Sequence, residues 1–158
     1  MANKVTGGLM KAGLLVAACI IVVRIILEQL GSPEWVNNIF GVAWLYLLFP
    51  FLFALRIAAS GEPAPFKRLF TTLMLFTVYT RIMVMVTYMM AYLLKWQAPR
   101  FSMKMGGNVG PDVGAFQGLV FIPVRNALIW IVMATVLGMI LGGIVLFAKR
   151  KSAPPAQA

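Results

Sequence analysis

Four apolar stretches, roughly residues 9–30, 35–57, 69–94 and 123–147, decide most of what this chain can fold into. Each reaches the ~20 residues that an α-helix needs to cross the hydrocarbon core of a membrane. A buried helix of a soluble protein can imitate one such run. Four of them in 158 residues cannot be hidden in a soluble core, because a small domain has too much surface for its volume. Composition points the same way, with 61% hydrophobic and 11% charged residues, where soluble domains run near ~25% charged. The reading is an all-α integral membrane protein. It forms one domain over residues 1–158, a bundle of four transmembrane helices with a single long loop, 95–118.

Short connections favour an up-and-down order of neighbouring helices. Loop one, GSPE, is nearly all turn, and loop two, AASGEPAPFKR, ends in Lys67 and Arg68. Loop three is KWQAPRFSMKMGGNVGPDVGAFQG, and the tail AKRKSAPPAQA is a basic anchor ahead of a few residues expected to be disordered. Cytoplasmic flanks of membrane helices carry excess Lys and Arg. Lys4, Lys11, Lys67, Arg68, Lys149, Arg150 and Lys151 then share the cytoplasmic side with both termini. Acidic loop one faces out, although Lys95, Arg100 and Lys104 outweigh Asp112 in loop three. Trp35, Tyr92, Trp96 and Phe101 fall near the expected outer interface, where amphipathic rings settle. The expected location is the bacterial cytoplasmic (inner) membrane.

The opening MANKVTGGLMKAGLLVAAC has a basic start, and VAAC has the form of a lipoprotein cleavage box around Cys19. The apolar run continues through IIVVRIIL, however, well past that point. A signal h-region is short and stops at its cleavage site. The first stretch is therefore expected to stay as a transmembrane helix.

The net charge of +10 would suggest nucleic acid in a soluble protein, but here anionic headgroups explain it. No nucleic-acid partner is expected. Histidine is absent and Cys19 is the only cysteine, which removes His-held haem, His-ligated zinc and histidine acid–base chemistry. GGNVGPDVG is glycine-rich, but nothing marks it as a strand-to-helix phosphate loop. It reads as loop, with re-entry into the membrane against a partner as the alternative. No cofactor and no metal site are expected.

Within the spans, Pro50 should bend the second helix, and Pro123 should mark the start of the fourth. FQGLVFI then leads in along the interface. In GMILGG, Gly138 and Gly142 share one face and allow close backbone approach. That face packs inside the bundle or against another chain.

Every span carries an arginine. Arg56 lies near a helix end and can lift its charge to the headgroups. Arg24 has Glu28 four positions on, so the two can pair on one helix face. Arg81 sits at the centre of the third stretch, where insertion costs about 2.5–3.5 kcal/mol by the mildest scales. Its charge needs a partner, and Thr77 and Tyr88 lie near its face. Arg125 is in the outer half of the fourth span, and the forks of Arg24, Arg81 and Arg125 are candidates to share one cleft. Guanidinium forks match phosphate and carboxylate geometry. With Glu28 as the one nearby acid, the negative charge must come from elsewhere.

These features lead to a non-catalytic membrane subunit of a larger complex, its arginines contacting acids of other integral membrane subunits or anionic phospholipid. The alternative is a homo-oligomeric transporter or binding protein for an anionic lipid or another anion. An intramembrane enzyme is a weaker third reading, because Glu28 stands beside its mate Arg24, Asp112 lies in a loop, Cys19 is expected to be buried and the tyrosines have no evident activator.

Overall fold

A computed structural model describes residues 2–151, with side chains over 6–150. The expected disorder at the C-terminus and the side chain of Lys4 lie outside the described residues. Among these described residues five α-helices follow in order: α1 (Ala2–Gln29), α2 (Glu34–Ile39), α3 (Ala43–Ala59), α4 (Pro65–Leu94) and α5 (Ile122–Lys151). Among the described residues the only extended pairing is one isolated bridge, Ser102 with Val109. Among the described residues four helical segments are long and apolar enough to cross a membrane: Thr6–Gln29, Glu34–Ala59, Pro65–Leu94 and Gln117–Arg150.

The helix ends follow from local chemistry. After α1, Gly31 takes a positive φ of 74°, and Ser32 N–H reaches back to the Leu27 carbonyl at 3.0 Å. This is the Schellman closure that glycine favours. Lys95 closes α4 in the same way at φ 50°, with Trp96 N–H on the Ala91 carbonyl at 3.0 Å. Pro65 opens α4 in the first turn, where its missing N–H is harmless.

Three sequence expectations need correction. The second stretch is two helices rather than one, because the chain breaks over Phe40–Val42 between α2 and α3. Cys19, expected to be buried, is exposed, while Pro50 lies inside α3, which runs through it. Nor does Pro123 start the fourth helix, since a π-turn, Gln117–Phe121, precedes it and leads directly into α5. In that turn Ile122 N–H bonds the Gln117 carbonyl, five residues back. Pro123 has no N–H to offer the next carbonyl in this register, that of Gly118. Asn108 of loop three supplies it, its side-chain amide donating to Gly118 O and to Tyr88 O at 2.7 Å each.

Asn108 is fully buried, and its bonds stitch loop three to both α4 and the π-turn. Phe101, also fully buried, packs edge-on to Tyr88 with ring centroids 5.1 Å apart. Loop three therefore folds back onto the end of its own bundle.

The core lies between α3 and α4, where Phe49 stacks on Phe76 at 4.9 Å and Phe53 and Tyr46 close around them. α5 packs on α3 and α4 through its glycines. A Cβ on Gly142 would stand 3.0 Å from the Pro50 carbonyl oxygen and 2.8 Å from Leu69 Cδ2. One on Gly138 would stand 3.0 Å from Leu73 Cδ1. The two glycines thus face the interior of this bundle, seating the proline of α3. α1 covers α3 and α4, with Gly13 against the rings of Phe49 and Phe76.

Candidate anion-binding site

At the loop-one and loop-three end of the bundle, three guanidinium groups line one cavity of about 170 Å³. They belong to Arg24 of α1, Arg81 of α4 and Arg100 of loop three. Gly41, Val42 and Ala43, at the α2–α3 break, form one wall, and Tyr88 and Trp130 form another. The volume has room for several waters or one phosphate-sized group.

Helix periodicity builds these walls. Ile21, Arg24 and Glu28 are spaced i, i+3, i+7 on α1, and Arg81, Val84 and Tyr88 repeat that spacing on α4, so each set shares a face. The break before α3 exposes backbone where a continuous helix would present side chains. A Cβ on Gly41 would stand 3.6 Å from an Arg24 terminal nitrogen.

Glu28 is the counter-charge. Its side chain is 2% exposed, and Oε1 accepts from Arg24 Nε at 2.9 Å. Arg100 Nε lies 2.9 Å from the same oxygen as an ion pair, with its N–H turned off the line of a hydrogen bond. Glu28 Oε2 and Arg100 Nη2 are buried without hydrogen-bond partners. Burial pushes the Arg100 pKa down from its ordinary value; Glu28 works against that shift, and Arg24 adds to it. Arg24 also donates through Nη2 to Asn38 Oδ1 at 3.4 Å. Three cations against one carboxylate leave the cluster at +2.

Arg81 answers its burial through aromatic faces. Its guanidinium carbon lies 4.9 Å from the Tyr46 ring centroid and 4.5 Å from that of Trp130. Desolvated cation–π contacts are worth about 2 kcal/mol each, so two of them match the ~2.5–3.5 kcal/mol that an arginine would cost at the centre of a membrane-spanning helix. The Tyr46 hydroxyl meets the Thr80 hydroxyl at 2.7 Å. Arg81 Nε remains buried and unpartnered. The rings hold the charge in place and leave the Nε–H donor without a partner in the chain.

The structure brings Arg24, Glu28, Arg81 and Tyr88 together and sets two sequence candidates apart. Thr77 is buried but turns its hydroxyl onto the Leu73 carbonyl of its own helix at 2.8 Å. Arg125 is exposed and lies 5.9 Å over the Phe121 ring, outside the cavity. Arg100 takes the third place that the sequence reading gave to Arg125. Tyr46, Trp130, Arg100 and Asn38 were missed. Depth is the signal for two of them: Trp130 is 13 residues after Gln117 and Arg81 is 13 before Leu94, while Tyr46 is 12 after Glu34. The two rings and the charge thus stand at nearly one level. Among the described residues no cluster of three or more His, Cys, Asp or Glu is present. No protein-family model, curated protein or solved structure matches this chain.

Proposed function

We propose that this is an integral membrane protein, its termini on the cytoplasmic side, acting as a non-catalytic binding component of a membrane assembly. Its pocket takes one acidic group, phosphate or carboxylate, supplied from outside the chain. The carrying observation is the +2 cluster of Arg24, Arg81, Arg100 and Glu28 around one cavity, with buried guanidinium nitrogens still unpartnered. Such forks bind phosphate and carboxylate through charge-assisted hydrogen bonds. A catalytic reading has less support, because Glu28 is already engaged by two guanidinium groups and Asp112 is exposed on the loop. The four apolar helices and the basic flanks favour the membrane setting and orientation.

Native mass spectrometry of the gently extracted protein tests this reading. The expected result is a retained acidic ligand or partner chain that is lost from Arg81→Gln/Arg100→Gln, while Arg125→Gln keeps it. A homo-oligomer holding the acid would favour the transporter over the subunit. A bare monomer, with all variants behaving alike, would sink the proposal.

A further inference from the structure

Beside the arginine cavity runs an apolar groove of about 330 Å³, between Trp44 and Leu47 of α3 and Met133 and Leu137 of α5. The two spaces share Ala43 and Trp130 as walls. The groove leads away from the charged end, since both α3 and α5 run toward the opposite end of the bundle. From Trp130 to Leu137 it follows α5 for about 10 Å at ~1.5 Å per residue. One face of the Trp130 indole carries the Arg81 cation, and the same residue lines the apolar channel.

We infer that the acidic group is the phosphate of an anionic glycerophospholipid, bound at Arg24, Arg81 and Arg100 with one acyl chain along the Trp44–Leu137 groove. This rests on the acid-binding reading above and gives it a ligand. Charge complementarity selects the headgroup: the cluster is +2, and Arg81 Nε and Arg100 Nη2 are buried donors without partners. A soluble anion would use the cavity alone and gain nothing from the groove beside it. Any groove facing hydrocarbon is filled by some chain, so apolar fit alone proves nothing. The lining joins a polar end to an apolar channel, as a lipid does, and only headgroup selection distinguishes a site from ordinary solvation.

The test uses the full chain in lipid nanodiscs of phosphatidylcholine, doped with phosphatidylglycerol of the same acyl chains, and counts retained lipids by native mass spectrometry. Inorganic phosphate binding in detergent is measured in parallel. Phosphatidylglycerol should be retained over phosphatidylcholine by roughly ten-fold or more, because both carry the same phosphate but the choline ammonium of the latter stands against the +2 cluster. Arg81→Gln/Arg100→Gln should abolish the preference, and Arg125→Gln should keep it. Met133→Trp, at the exposed rim of the groove, should weaken lipid retention but leave phosphate binding intact. Thermal melts of each variant separate these effects from misfolding.

If phosphate binding depends on the arginines but the lipids are not distinguished, the lipid assignment falls and the acid-binding reading stands. If neither phosphate nor anionic lipid binds selectively, both fall. A preference that survives the arginine changes, or that ignores Met133→Trp, also overturns the two-part site.

Discussion

Replacing Asn108 with Ala removes two buried hydrogen bonds of 2.7 Å, to Tyr88 O and Gly118 O. Each contributes about 0.5–1.5 kcal/mol net, and leaving a buried acceptor unpaired costs about 1–3 kcal/mol more. The Gly118 carbonyl is the one at risk, since Pro123 has no N–H to give it. Docking of loop three should therefore weaken by roughly 2–6 kcal/mol, which raises its open population by about 30- to 20,000-fold. When opening is fast, proteolysis tracks that population. Tryptic cleavage after Arg100 and Lys104, followed by intact mass in detergent, should accelerate by at least roughly 30-fold. Asn108→Asp keeps the shape but turns an acceptor toward two carbonyl oxygens, so its loop should open at least as readily. Wild-type cleavage rates in both variants would show that Asn108 does not hold the loop, and the account of Pro123 would fall with it.

Other changes test the packing and the charges. Gly118→Ala places a Cβ 2.1 Å from Tyr92 Cδ2, so the ring must move and the hydrogen bond that its hydroxyl donates to Val113 O at 3.0 Å must weaken; thermal unfolding should show a loss of about 1–3 kcal/mol. Gly142→Val should cost as much through Pro50 and Leu69, whereas Gly143→Ala, whose nearest neighbour stands 3.7 Å off, should be close to neutral in the same melt. Glu28→Gln leaves two guanidinium groups without their carboxylate and should lower stability by about 3–5 kcal/mol, partly recovered by added phosphate. Arg125→Ala should shift the melting curve by less than ~0.5 kcal/mol.

Much of the architecture is legible in the sequence because apolar length is a strong signal. The i, i+4 spacing of Arg24 and Glu28 gives their pair directly, and the depth of Arg81 demands an unusual environment. The rest depends on contacts between distant residues. Arg100 reads as a surface charge in a polar loop, and only the return of loop three onto α4 and the π-turn carries it to Glu28. The misplacement of Arg125 has a local cause. Asn126 and Trp130 share a helix face by their spacing of four, and Arg125 points off that face. Within the chain Arg81 meets two rings that its sequence position does not announce, because a π-face stabilises a cation without needing a charge of its own.

The doubly used carboxylate of Glu28 also has a topological meaning. Its bond to Arg24 spans four residues, but its contact with Arg100 spans 72 (100 − 28). That contact closes a ring of chain containing α2, α3 and α4, as a disulfide would in a protein with cysteines to spare. Loop-closure entropy grows only slowly with ring size, and helix packing has already brought the two ends together. A single buried acid therefore works as a reversible cross-link. Opening it frees loop three from α1 without dismantling the helices it encloses.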